Sequence, residues 1–423
     1  MRRLVVVAIC VLTIFSVSVN CFAMDTMKKG NRGDSVREVQ EMLISLGYLD
    51  GEADGIFGPK TERAVQAWQK DNGLETTGMV DEETIQALQK RLYFPSWNPE
   101  SASLNELMAF VAGCTDESSP VFVEPADRIA TFDMDGTIIC EKAPVYVDYC
   151  LTMYRVLDDP AYEATEEERD AMQQVRDHAY SEGKTFHPEG LTKDDLVATA
   201  FAGMTPEEFR AYATAFADNT EAVGFEGMTY GQSFYKPMIE VIRYLKANDF
   251  DVWMVSACER EVVRALVERY DIPYDHCIAT DVPYVASGLG EEVADEYNMG
   301  QDEVILLGAP LDEVECGKSA KPAAIAREIG KCPVLAFGNS SGDYSMLNYA
   351  EGNPDHSGMG CFIVCDDTER EYGSEEKAEE FYTIAEQEDW TAISMANDWK
   401  DIYGEGVRKT GLPGAEETLS LAA

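Results

Sequence analysis

Four short stretches carry residues that could do chemistry together. In "DMDGT", Asp133 and Asp135 stand one residue apart, followed by Gly136 and Thr137. Ser256 follows the apolar run "VWMV". "CGKSAKPAAIAREIG" brings Lys318 and Lys321 to the start of a helical stretch, and "FGNSSGD" sets Asn339, Ser340 and Asp343 after another apolar run. A carboxylate can take a phosphoryl group and later surrender it to water. A second carboxyl can protonate the leaving oxygen and afterwards activate that water. A hydroxyl and a lysine can hold phosphoryl oxygens, and magnesium would offset repulsion between an anionic nucleophile and an anionic substrate. Phosphoryl transfer asks for such positioning and charge more than for elaborate covalent machinery.

Each piece also has an ordinary reading. Asp-Gly after a strand makes turns, a serine there satisfies backbone, a lone lysine is solvated, and Asn-Ser-Ser-Gly is a common loop. All four in this order, three of them directly after strand candidates, favour the joint reading over four coincidences.

The elements that must position them follow from periodicity. From Ala126 the chain alternates strand and helix signals, which predicts an α/β unit with a parallel sheet. Apolar runs at 128–132, 252–255, 304–307 and 333–337 are the strand candidates. Ligands of such sheets gather outside the carboxyl ends of the strands, so the four stretches should converge on one edge.

This pattern resembles the haloacid dehalogenase superfamily of phosphohydrolases, with "DMDGT" as its DxDxT motif, "VSA" as its Ser/Thr motif and "FGNSSGD" as its acidic metal loop. The resemblance implies a Rossmann-like parallel sheet with an inserted helical cap, and Asp133 as nucleophile with Asp135 as general acid/base. It implies that Thr137 steadies Asp135 and that Thr137, Ser256 and Lys321 serve phosphate binding. Lys321 is preferred to Lys318 because "AKPAAIAREIG" fits the family's lysine followed by a helix to the last catalytic strand. Magnesium is expected on Asp133, the Asp135 carbonyl, Asn339 and Asp343. Asn339 departs from the commoner Asp; an amide oxygen can ligate a hard cation but brings no charge. A dehalogenase on this fold would not need Asp135, and a phosphonate hydrolase would need a Schiff-base lysine, for which the cap offers Lys184, Lys193 and Lys236. A wall-binding protein with a vestigial core is the alternative from another class, with Asn339 its one support.

Between Thr137 and Ser256 the chain is longer than one crossover requires. Helical stretches beginning at Thr165, Thr192 and Thr205, each followed by acids, predict a cap spanning about 141–250. Its aromatics Tyr146, Tyr149, Phe186, Phe201, Phe225, Tyr230, Phe234 and Tyr235 are expected to be mainly core. The minority reading is an aromatic cage for a phosphocholine-type substrate. His178 and His187 are expected to be structural.

Residues 28–92 form a separate small helical unit. Val36, Val39, Leu43 and Leu46 recur at helical spacing before Gly47, and a turn at Gly55–Thr61 is echoed at Gly78–Thr84, where either threonine could cap a helix. Asp50, Glu52, Asp54 and Gly55 imitate a calcium loop, but Thr61 stands where a bidentate Glu is needed. Gly30, Gly33, Gln40, Asp54, Gly58, Trp68 and Gln69 are among the residues by which this unit resembles a three-helix peptidoglycan-binding domain. Residues 93–104 read as a linker, 105–404 as the catalytic unit and 405–423 as a disordered tail.

At the N-terminus, Arg2 and Arg3 precede the apolar run Leu4–Val19, and Ala23 offers a cleavage point. Residues 1–23 therefore read as a signal peptide, leaving a secreted or envelope-associated protein with no transmembrane segment. With 78 Asp and Glu against 34 Lys and Arg, nucleic acid is excluded as a partner. A small phosphorylated substrate and peptidoglycan are the expected partners. The nine cysteines from Cys114 to Cys365 are an odd number without a zinc pattern, and read as buried thiols.

Overall fold

The computed structural model describes residues 26–188, 193–290, 297–308 and 315–414. The expected signal peptide and residues 415–423 lie outside the described residues. The chain divides into two units after Gln86.

In the first unit, α1 (Asp34–Ser45) buries Val36, Val39 and Leu43, and Gly47, at φ +78°, takes the left-handed position that ends it. Helix α2 (Pro59–Asp71) follows, and α3 (Glu82–Tyr93) begins within the unit. The echoed turns are one device used twice. Gln40 Oε1 accepts from Gly55 N at 2.8 Å, while its Nε2 donates to Ile56 O at 3.1 Å and Thr61 Oγ1 at 3.0 Å. Gln69 repeats this with Gly78 N at 2.9 Å, Met79 O at 2.8 Å and Thr84 Oγ1 at 3.1 Å. The threonines are thus pinned by glutamines inside the first helical turns. They are not caps: Asp81 caps α3, accepting from Thr84 N at 2.9 Å.

The second unit starts earlier than the expected linker allows. Trp97 is buried and donates through Nε1 to Pro237 O at 3.0 Å, and Ser96 N donates to Glu240 Oε2 at 3.0 Å. A Pro/Ser/Asn composition reads as linker, but Phe94 and Trp97 carry enough apolar area to fix the stretch on the core. Ser101 then caps α4 (Ala102–Thr115).

Strand β1 (Ile129–Phe132) leads into the cap helices α5 (Val147–Met153), α6 (Glu166–Glu182), α7 (Lys193–Phe201) and α8 (Pro206–Asn219). Thr165 and Thr205 close capping boxes with Glu168 and Glu208, as their spacing predicts. Next come β2 (Phe225–Glu226), α9 (Lys236–Ala247), β3 (Asp251–Glu259), α10 (Arg260–Val267), β4 (Cys277–Thr280), β5 (Tyr284–Ala286) and β6 (Ile305–Leu307). The chain continues through α11 (Ala320–Glu328), β7 (Leu335–Gly338), α12 (Tyr344–Glu351), β8 (Met359–Val364), α13 (Glu375–Glu388), β9 (Thr391–Ser394) and β10 (Arg408–Lys409).

The main sheet is parallel, in the order β4-β3-β1-β7-β8-β9. Alternate residues serve opposite faces: Leu335 and Phe337 join the core of α4 and α9, whereas Ala336 joins that of α11, α12 and α13. With helices on both faces, β1, β7 and β8 are buried along their whole length. One strand expectation is corrected. The run 304–307 does not enter this sheet; β6 pairs antiparallel with β5 in a separate ribbon. The sheet is completed by β4, β8 and β9, whose short runs carry Cys, Gly and Thr in place of a continuous aliphatic signal.

Part of the expected tail is also ordered. β10 pairs with β2, and Tyr372 Oη donates to Thr410 O at 2.6 Å. Backbone pairing supplies what the polar sequence of 405–414 did not announce. The nine cysteines are free thiols, buried except for half-buried Cys332 and Cys365. Among the described residues no helix is long and apolar enough to cross a membrane.

Candidate active site

Chain order reverses at β1. Crossovers through β3 and β4 build the sheet on one side of it, and β7, β8 and β9 build the other. The carboxyl ends of β1, β3 and β7 therefore adjoin at the switch point. Asp133 leaves β1 with its N donating to Phe337 O of β7 at 2.9 Å, which fixes the first carboxylate against the neighbouring strand. The chain then turns tightly: Ile138 N returns to Met134 O at 2.9 Å and Gly136 N donates to Ile139 O at 2.7 Å. Gly136 sits at φ +82°, and a Cβ there would stand 2.0 Å from Asn339 Nδ2. Gly338 meets the same demand across the site, since a Cβ would lie 2.3 Å from that of Asp343. On β3, a register shift between Ser256 and Glu259 breaks the pairing with β4 just where Ser256 emerges.

Lys321 is the centre of the site. Although 1% exposed, its Nζ donates to Asp133 Oδ1 and Asp343 Oδ1, both at 2.6 Å, and to Val255 O at 2.7 Å. An ammonium has three N–H groups, and these three acceptors use them all. Burial works against the cation, but the Asp133 and Asp343 carboxylates hold its pKa above that of an ordinary lysine. Burial pushes the Asp133 carboxyl up, Asp343 pushes it the same way, and Lys321 opposes both. Lys318, the other sequence candidate, is exposed at φ +51°, with its N donating to Gly342 O at 2.8 Å.

Asp343 differs from its expected place among the metal ligands. Its Oδ1 is on Lys321, and its Oδ2 accepts from Asn339 N and Ser340 N, both at 3.0 Å, and from Ser340 Oγ at 3.2 Å. It thus ties the loop to the ammonium. Thr137 differs too: its hydroxyl is directed to Asp133 Oδ2 at 3.2 Å and to the Asn339 amide at 3.3 Å, so it steadies the first aspartate where the second was expected. Ser256 is buried, and its Oγ accepts from Cys258 N at 3.1 Å.

The residues that could hold a cation are on the opposite side of Asp133 from Lys321. The Asn339 amide atom facing this group stands 3.3 Å from Asp133 Oδ2 and 3.0 Å from the Asp135 carbonyl. A carboxylate, a peptide carbonyl and an amide form a hard oxygen set that suits a small divalent cation. Among the described residues, no three His, Cys, Asp or Glu side chains gather as a metal cage.

A cavity of about 200 Å³ opens over these groups, walled by Asp133, Asp135, Ser256 and Lys321 and by residues of the cap segment. The sequence reading missed Glu141 and Asp148 on this wall, and His187 with it. His187 lines the cavity, with its Nδ1 3.3 Å from Tyr149 Oη. Its only sequence signal is position, in the inserted cap. His178 does stack on Phe186, with centroids 3.9 Å apart. Of the cap aromatics, Tyr149, Phe201, Phe225, Tyr230, Phe234 and Tyr235 are buried as expected; Tyr149 also lines the cavity, as does the exposed Tyr146.

Two family models match the chain: a peptidoglycan binding domain over residues 32–88, and haloacid dehalogenase-like hydrolase over 130–348. Among curated proteins, the chain is 36% identical over 72 residues to the spore cortex-lytic enzyme of Bacillus subtilis, covering 17% of this chain and 24% of that protein. It is 45% identical over 49 residues to Localization factor PodJL of Caulobacter vibrioides, covering 12% of this chain and 5% of that one. The chain thus spans a quarter or less of the length of these relatives. A solved structure of a conserved functionally unknown protein from Anaerococcus prevotii matches at 16% identity and TM-score 0.45, over 69% of this chain and 91% of that one.

Proposed function

The chain belongs to the haloacid dehalogenase-like hydrolase family, and we propose that it hydrolyses a phosphate monoester through a phospho-aspartate on Asp133. The observation that carries this reading is Lys321 Nζ, 2.6 Å from both Asp133 and Asp343 at the floor of the cavity. A buried lysine so placed offsets the charge of an anionic nucleophile facing an anionic substrate.

In the proposed reaction, an Asp133 oxygen bonds to phosphorus as the bond to the leaving oxygen breaks. Asp135, entering as the carboxylic acid, gives its proton to that oxygen. Asp135 then takes a proton from water as the water oxygen bonds to phosphorus, the bond to Asp133 breaks, and inorganic phosphate leaves. Ser256 holds phosphoryl oxygens, Lys321 sets its positive charge beside them while its N–H groups stay on Asp133, Asp343 and Val255, and Thr137 keeps Asp133 oriented. Asp133, the Asp135 carbonyl and Asn339 would hold magnesium, with Asp343 behind them. Bound magnesium supplies positive charge against the phosphoryl oxygens.

The Arg2–Ala23 pattern supports export of the enzyme, and the unit matching a peptidoglycan binding domain supports association with the cell wall. The substrate class is a small organic phosphate; Tyr146 and Tyr149 on the cavity wall support a phosphocholine-type leaving group as a narrower choice. The test is turnover of a generic aryl phosphate by the purified chain with and without magnesium, beside Asp133→Asn. Equal turnover by the variant sinks the nucleophile assignment. No turnover by either leaves a wall-binding protein with a vestigial core, the reading that Asn339 favours. Retention on purified peptidoglycan, lost on deleting residues 28–92, tests the anchor.

A further inference from the structure

The two ends of the Asn339 amide offer opposite chemistry to the oxygens they face. With Oδ1 turned toward Asp133 Oδ2 and the Asp135 carbonyl, three acceptors meet at 3.3 and 3.0 Å. Thr137 can put one hydroxyl proton among them; the rest of the repulsion needs a cation. With the amide turned about its last side-chain torsion, Nδ2 takes the same place. Its two N–H groups then have Asp133 Oδ2 at 3.3 Å, Thr137 Oγ1 at 3.3 Å and the Asp135 carbonyl at 3.0 Å as acceptors within reach. Nothing else has to move, because Asn339 N stays tied to Asp343 Oδ2 at 3.0 Å and the side chain stays packed on Gly136. An aspartate here would have only the acceptor orientation.

We propose that Asn339 is a two-position residue: a hydrogen-bond donor that satisfies the site without metal, and a ligand through Oδ1 when a small hard divalent cation enters. The inference rests on the metal assignment of the proposed function and adds how this chain tolerates losing its metal. Asp343, with both oxygens engaged, holds the loop at a fixed distance while the amide turns. Of the groups facing the cation only Asp133 is anionic, so binding is weak and occupancy follows the surrounding magnesium concentration.

The test is magnesium binding to the chelator-treated full chain and to Asn339→Asp, by calorimetry and thermal melting. Asn339→Asp should bind magnesium at least about tenfold more tightly, since it adds a carboxylate to the ligand set. It should melt below the wild type in chelator, where two carboxylates face each other, and above it in excess magnesium. Equal affinity with an unchanged melting order overturns the inference while leaving the metal assignment standing. Magnesium heat from neither protein overturns both. A second measurement spares the variant: in asparagine-labelled wild type, the Asn339 side-chain NH₂ signal, assigned by its loss in Asn339→Ser, should shift on saturation with magnesium. An unmoved signal in a protein that binds magnesium overturns the swap.

Discussion

Lys321 and Asp133, 188 positions apart in sequence, meet at 2.6 Å with the lysine's remaining two N–H groups used by Asp343 and Val255. The lysine is therefore both the counter-charge of Asp133 and the clip joining β1, β3 and the loop after β7.

Replacing it tests both roles. Lys321→Met keeps the length of the side chain but leaves two buried carboxylates facing each other. Removing one partner of a buried ion pair costs about 3–5 kcal/mol. Urea unfolding of the variant should show a loss of that size near neutral pH and a smaller one in acid, where the carboxylates can protonate. A loss independent of pH would count against the charge argument.

Asp135→Asn removes the proposed proton carrier and leaves Asp133, the proposed nucleophile, in place. General acid–base catalysis contributes roughly 10²–10⁴-fold, so steady-state turnover of an alkyl phosphate should fall by that order. A weakly basic aryloxide such as a nitrophenolate leaves without help. Rapid mixing with an aryl phosphate should therefore give a burst of about one equivalent followed by slow turnover, because phospho-Asp133 then waits for an unactivated water. Absence of a burst would contradict the division of labour between the two aspartates.

Glu259 provides the pH prediction. It is buried, it caps α10 by accepting from Val262 N at 2.9 Å, and its Oε1 has no hydrogen-bond partner among the described residues. Burial raises its pKa to about 8 from an ordinary value of 4.5. The folded state therefore holds a proton that the unfolded chain has lost, and stability declines as pH rises from about 4.5 to about 8. Glu259→Gln should flatten this slope by up to about 1.4 kcal/mol per pH unit, read from denaturant unfolding at several pH values. Parallel wild-type and variant profiles would refute it.

The front unit has its own lever. Gln40→Ala strips Gly55 N, Ile56 O and Thr61 Oγ1 of their buried partner at once. Leaving such groups unsatisfied costs about 1–3 kcal/mol. Limited proteolysis should cut the front unit of the variant faster, and retention on purified peptidoglycan should fall with it. Unchanged proteolysis would mean that the glutamine device carries little stability.

What the sequence alone determined is local or periodic. The Asp-Met-Asp-Gly-Thr turn, the capping boxes at Thr165 and Thr205, and the helices of the front unit are set by residues within a turn or two of each other. The parallel α/β class and the family followed from motif order. Tertiary structure decided what depends on distant chain segments. Lys318 and Lys321 are alike in sequence, and only the packing of α11 beside β3 and β4 buries one and exposes the other. The run 304–307 has the apolarity of a core strand, yet its partner is β5, because pairing depends on which edge the chain reaches. His187, Glu141 and Asp148 carry no motif and face the cavity only because the inserted cap brings them there. Asn339 could be named from sequence, but its meaning could not. Two orientations of one amide become distinct chemical states only once Asp133 Oδ2 and the Asp135 carbonyl are brought within 3.3 and 3.0 Å of it.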